Sequence, residues 1–147
     1  MTPADEPEIA RCADMARKLA SCDHVTVLLL SDNGSRMRRV FSSMPPVFPT
    51  YGSKPVPAGN WVQQIIERKK PALFAGAEAI RATFPDHELI LANDIHTVLN
   101  VPLVSQSTLI GSLNCLYVSC PAPEDFKHLA RDIQGAMSDA LSQLFPR

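Results

Sequence analysis

The chain has 147 residues, which at roughly 100 to 200 residues per domain leaves room for one domain, and its 46% hydrophobic content can fill one core. Fourteen Lys and Arg against fifteen Asp and Glu give a net charge of -1, so nothing global draws the chain to nucleic acid or to an anionic membrane, and neither is expected as a partner. The charged fraction of 20% beside ample Leu, Ile and Val excludes a chain too polar to collapse.

The start of the chain is acidic (Asp5, Glu6, Glu8) and lacks the basic residues and apolar stretch of a secretory signal. The longest apolar run, near Val25 to Leu30, is far short of the ~20 residues of a membrane span, so a cytoplasmic protein is expected. Ile9, Cys12, Ala13, Ala16, Leu19 and Ala20 recur at helical spacing and predict an amphipathic helix ending near Cys22. Val25 to Leu30 and Arg38 to Ser43 then flank Asp32-Asn33-Gly34. Asn-Gly accepts positive φ in a tight turn, so these are two antiparallel strands. Five of the 13 prolines follow between Pro45 and Pro57, which predicts an ordered loop running over the domain.

Asn60 stands three residues before Gln63, the pattern of a capped helix, here from Trp61 to about Arg68. Pro71 to Ala75 reads as a short strand, and Phe84 to Ile90 opens a short helix capped by Asp86 and ended at Asn93-Asp94. Two further strands, Thr97 to Leu103 and Thr108 to Val118, are joined by Ser105-Gln106-Ser107. Phe126, Leu129, Ala130, Ile133, Met137, Ala140, Leu141 and Leu144 make the clearest helical stripe in the chain. This order of elements predicts an α+β domain with an antiparallel sheet.

Strand periodicity sorts the last hairpin into two faces. Setting Leu103 opposite Leu109 places Val98, Asn100, Ile110, Ser112, Asn114 and Leu116 on one face and Leu99, Val101, Leu103, Leu109, Leu113 and Cys115 on the other. The second set is wholly apolar and suits the two terminal helices. The first carries amides in mid-strand, where an unpaired polar group costs about 1 to 3 kcal/mol. Loop backbone, water or ligand must therefore meet Asn100 and Asn114.

The run Thr97-Val-Leu-Asn-Val-Pro-Leu followed by Leu109-Ile-Gly-Ser-Leu-Asn-Cys-Leu-Tyr resembles the hairpin near the end of a GAF domain, and the element order agrees over nearly the whole chain. Arg39 to Ser43, Phe48 to Pro55 and Phe84 to Ile90 resemble the Arg-x-Phe-Ser-Ser strand, Pro-rich loop and Phe-Pro-Asp-His-Glu-Leu-Ile helix of one GAF subgroup. The resemblance implies a single GAF domain over residues 1–147. Its fold would be profilin-like or PAS-like: a central sheet of five or six strands, terminal helices on one face, and a loop-and-helix layer over the ligand face. It also implies a ligand site between sheet and layer, with candidates Asn100, Asn114, Ser112, Arg39, Ser43, Tyr51, Trp61, Phe84, His87 and Glu88. Aromatic walls with a few convergent polar groups suit a small molecule. A packed aromatic core and loop-satisfied amides are the alternative for the same residues.

The function so implied is a small-molecule-binding regulatory module that acts through a separate effector or as a homodimer joined by its terminal helices. The alternatives are a ligand-free dimerisation scaffold and an enzyme related to free methionine-(R)-sulfoxide reductases, which are standalone GAF domains. The thiol chemistry of those enzymes needs cysteines converging on the pocket, and none lies between Asp23 and Asn114. The same gap counts against a thioether-linked bilin, and the Asn-Lys-Phe-Asp-Glu pattern of cyclic-nucleotide GAF domains is missing. Cys12, Cys22, Cys115 and Cys120 lack the C-x2-C spacing of zinc sites, and His24, His87, His96 and His128 have no ligand-like spacing, so no metal is expected. The residues single out no cofactor or ligand.

Overall fold

The computed structural model describes residues 6–31, 33–50, 52–56 and 62–144, without the side chains at 62–64, 138, 139, 141, 142 and 144. In chain order its elements are α1 (Glu6–Ala20), β1 (His24–Ser31), β2 (Arg36–Ser42), β3 (Lys54–Pro55), a π-helical turn (Val62–Glu67), β4 (Ala72–Ala75), α2 (Ala77–Thr83), α3 (His87–Ala92), β5 (Thr97–Ser105), β6 (Thr108–Tyr117) and α4 (Phe126–Leu144). The strands form one antiparallel sheet in the order β3-β2-β1-β6-β5-β4. Both hairpins turn on residues that tolerate positive φ. Asn33 and Gly34 lie at 58° and 85°, and Gln106 and Ser107 at 51° and 67°.

Four expectations about the elements and their caps change. The Pro-rich segment contributes a strand of its own, β3, because a proline at the outer edge of a sheet need not donate to the ladder. The helix expected from Trp61 is a π-helical turn over Val62–Glu67, while Asn60 and Trp61 themselves lie outside the described residues. Helix α2, which was not anticipated, starts where Gly76 turns the chain at φ 91°. Asp86 does precede α3, but its side chain makes no capping hydrogen bond.

The terminal helices pack on one sheet face. Cys12, Ala13 and Ala16 of α1 and Ala130, Ile133 and Met137 of α4 meet Val25, Val27, Leu99, Val101, Leu113 and Cys115. The alanines let α1 approach the sheet closely. Leu19, expected in this stripe, is instead 44% exposed on the outside of α1. The hairpin register also differs: Asn100 pairs with Asn114, and Leu103 with Gly111. A two-residue shift preserves the side-chain parity, so the two faces keep their amides and their apolar set. Beyond Gly111 the register breaks, with Val104 opposite Leu109, leaving Ile110 as the extra residue of a bulge. Ile110 consequently packs with the terminal helices and Leu109 with the opposite face, the reverse of the expectation.

Asp23 ties the start of β1 to the end of β6. Its Oδ2 accepts hydrogen bonds from the backbone N–H groups of Val118 (2.6 Å), Ser119 (3.0 Å) and Cys120 (3.0 Å). Burial pushes this carboxyl up, but those three donors and the Cys120 thiol together hold it below its ordinary value. A depressed folded value means that the stabilisation is complete above the unfolded carboxylate range and is lost as pH falls through the lower folded value. Asp23→Ala is expected to cost about 2 kcal/mol at neutral pH, the weight of charge-assisted bonds left unmade. In urea titrations the gap between wild type and variant should begin to narrow as pH falls through the ordinary carboxylate range and close only below the depressed folded value; a gap that does not narrow at all on acidification would rule out the carboxylate as its source.

Candidate functional site in the layer over the sheet

The register places side chains in rows across the face opposite the terminal helices. One row runs Ser42, Thr26, Asn114, Asn100 and Ala72 from β2 to β4. The row on one side is apolar across Leu116, Val98 and Phe74, and on the other side it runs Arg39, Leu28, Ser112 and Pro102. A polar band thus crosses the middle of a buried sheet face. Thr26, Ser42, Asn100, Ser112 and Asn114 are all buried.

Only part of this band is satisfied. Asn114 Nδ2 donates to Thr26 Oγ1 at 3.2 Å, and Ser42 Oγ accepts from the Met44 N–H at 3.0 Å. Asn114 Oδ1, Ser112 Oγ and both amide atoms of Asn100 have no hydrogen-bond partner among the described residues. Each such group carries a desolvation cost of about 1 to 3 kcal/mol if nothing meets it.

A cavity of ≈ 60 Å³ lies over the band. Its floor is Thr26, Leu28, Met37, Arg39, Val98, Asn114 and Leu116, and its roof comes from Phe48, from Thr83, Phe84, Pro85 and Asp86 between α2 and α3, and from Ile90. Lys54 stands at its edge, and an open groove of ≈ 220 Å³ along Pro49, Gly52 and Ser53 shares Leu28, Met37, Arg39 and Lys54 with it. The space therefore opens outward past two cationic side chains. Phe84 meets Phe74 edge to face at 5.3 Å, fixing the aromatic wall.

Arg39 is the charged group of the interior. Its Nη1 donates to the Pro49 carbonyl at 3.2 Å and its guanidinium lies 5.2 Å from the Phe48 ring centroid, while Nε is buried without a partner among the described residues. Burial lowers its pKa, opposed by the Asp86 carboxylate on the same cavity wall. The result is a partly desolvated cation whose buried Nε–H is unused, suited to an acceptor oxygen of a small molecule.

The other sequence candidates fall in different places. Asn100 sits beside Asn114 in the row, fully buried but outside the cavity lining. Ser112 borders a crevice of ≈ 10 Å³ under Ile65 and Ile66. Ser43 is spent on the fold: its Oγ accepts from the Val25 N–H at 2.8 Å and donates to the Val25 carbonyl at 3.2 Å. Glu88 is exposed and His87 half-buried on α3, and neither lines the cavity; their neighbour Asp86 does. Tyr51 and Trp61 lie outside the described residues. Thr26, Met37, Phe48 and Thr83 are lining residues that the sequence reading passed over. A threonine between Val25 and Val27, on the same face as Leu28 of an otherwise apolar strand, was the available signal for the first of them.

The family profile of the GAF domain matches residues 7–143. The chain is a GAF domain. Solved GAF structures agree on the fold at low identity. The GAF domain of a two-component sensor histidine kinase from Bacillus halodurans superposes with a TM-score of 0.71 at 13% identity, covering 98% of this chain and 96% of that one. A GAF domain/HD domain protein from Geobacter sulfurreducens gives 0.69 at 17% identity, covering 96% and 95%. A domain of a two-component sensor histidine kinase protein from Sinorhizobium meliloti gives 0.64 at 20% identity, covering 92% of each. No curated protein matches the sequence significantly.

In this GAF domain the thiols lie away from the cavity. Cys12, Cys22 and Cys115 are buried in the core under the terminal helices, and Cys120 is half-buried beside Asp23. Desolvation first, and the proximity of Glu8 second, push the Cys12 thiol up; at Cys115 the neighbouring Cys22 and burial do the same. None of the four lines the cavity, so its walls offer no sulfur nucleophile.

Proposed function

We propose that this GAF domain is a sensory module that binds a small polar molecule over the polar band and passes its occupancy to a partner chain or across a homodimer. The observation that carries this reading is the set of buried polar atoms left unpartnered on one side of the sheet: the Asn100 amide, Asn114 Oδ1 and Arg39 Nε. A ligand with an acceptor for Arg39 and a donor for Asn114 would relieve part of that cost while its apolar part packs on Phe84, Leu116 and Val98. The sensor kinases that contain two of the similar domains supply the signalling context. Native mass spectrometry of protein purified from its own host tests it. A retained small molecule, absent from Arg39→Leu and Asn114→Leu, is the expected result; wild-type protein that is bare while dimeric favours the scaffold.

The homodimer rests on a different observation. Leu19 is one of two large hydrophobic side chains exposed among the described residues, and Met15 lies one turn before it on α1, half-buried. Leu19→Asp is expected to convert a dimer to a monomer in light scattering with little change in melting temperature. A wild-type protein that is monomeric at high concentration removes the homodimer.

A further inference from the structure

On the far side of the molecule β4 ends the sheet, and no described strand pairs with its outer edge. The Gly76 N–H donates to the His96 carbonyl at 2.7 Å, so by the alternation of an antiparallel ladder Phe74 and Ala72 also turn their backbone groups toward β5. Leu73 and Ala75 therefore turn theirs outward, a short run of open donors and acceptors. A groove of ≈ 760 Å³ follows this edge between β4 and the start of α4. Leu73 and Phe126 are among its apolar residues, and the exposed Arg68, Lys70, Lys127 and Arg131 stand around it.

The charge is uncompensated where it matters. No carboxylate lines the groove, and the nearby Asp125 is engaged through Oδ1 with the His128 N–H at the start of α4. Among the described residues none of the four cations is in an ion pair, and Arg131 alone has a side-chain contact, to His128 Nδ1 at 3.4 Å; His128 pairs in turn with Asp132, which does not line the groove. Two copies of this edge could not pair without facing cation to cation, so the groove disfavours a second copy of the chain.

We propose that the β4 edge is a docking site for an extended acidic peptide segment of a partner protein, added to the sheet as a seventh strand with alternate carboxylates facing the four cations. The open N–H and C=O groups of Leu73 and Ala75 supply the main-chain bonds, and Leu73 and Phe126 receive the alternate apolar side chains. The site is distinct from the cavity, and its test does not depend on any small-molecule ligand. A single-stranded nucleic acid would use the same cations but has no use for an open strand edge.

Fluorescence anisotropy with a blocked peptide of alternating Glu and Val tests this, against a Lys-Val peptide, the Glu-Val peptide with alternate N-methyl groups, and oligothymidylate. Expected is binding of the Glu-Val peptide alone, weakening as salt rises, with slowed hydrogen exchange at the Leu73 and Ala75 amides. Lys70→Glu/Arg131→Glu should weaken it on the order of ten-fold; should that variant fail to fold, Arg68→Glu/Lys127→Glu serves. Equal binding of the N-methylated peptide, preference for oligothymidylate, indifference to charge reversal, or no binding of the Glu-Val peptide at low ionic strength each overturns the proposal.

Discussion

Gly111→Ala is expected to cost about 3 kcal/mol or more, enough to leave a substantial unfolded fraction in a domain of ordinary stability. A Cβ built on Gly111 falls inside the Leu28 carbonyl and close to the Leu29 Cα, backbone atoms of the neighbouring strand that cannot rotate aside. The contact falls at the last pair of the β1–β6 ladder, Leu29 with Gly111, directly after the Leu28–Ser112 and Val27–Leu113 pairs. The close approach lies next to the bulge at Ile110, where the pairing of β6 with β5 is irregular. Relief would require prying apart that end of the ladder between the two central strands, β1 and β6. Gly135→Ala makes the opposite case: its Cβ would meet nothing within 4 Å on a helix. That substitution should stabilise by about 0.5 to 1 kcal/mol. Urea unfolding of the two variants should move in opposite directions, and equal shifts would show that the backbone contact at Gly111 is not what limits that position.

The same glycine marks how far the sequence could be read. Ile110-Gly-Ser-Leu-Asn carried the family resemblance as a string of letters, and only the register of β6 against β1 supplies its physical reason. Strand parity was legible because a two-residue slip leaves every side chain on the same face, and the amides of Asn100 and Asn114 were singled out on that ground alone. The bulge was not legible, since nothing in Leu109-Ile110 distinguishes a bulged from a paired residue, and so those two were assigned to the wrong faces. Helix α2 was missed for a related reason: Ala77–Thr83 has one strongly apolar residue, Ile80, and too little periodicity to register. Side chains near the middle of regular strands were placed well. His87, Glu88 and Ser43 sit at element ends, where a shift of one residue changes whether a side chain lines a cavity or leaves it.

Asn100→Leu should make the ligand-free domain more stable and, acting only through its row neighbour Asn114, weaken ligand retention less than Asn114→Leu does. Neither amide atom of Asn100 has a partner among the described residues, and the side chain has no exposed surface. Replacing it by a near-isosteric apolar residue removes two buried polar groups without opening a cavity, and the surroundings suit leucine, with Val98 and Leu116 on the same face of the hairpin and Ala72 opposite on β4. The expected gain is about 1 to 3 kcal/mol, which for a domain of this size is several degrees in melting temperature. Asn114→Leu should gain less, because it also removes the bond to Thr26 Oγ1. Aspartate at position 100 is the converse control: an unpaired carboxylate in that site should destabilise strongly or titrate far above its ordinary value. Differential scanning calorimetry of the ligand-free proteins, beside native mass spectrometry of the same preparations, separates the two readings of the site. A stabilised Asn100→Leu that retains the small molecule less well identifies an amide kept for binding at a cost to stability. A destabilised Asn100→Leu means that the amide is already satisfied within the fold, and the layer over the sheet is then a packed core serving a scaffold.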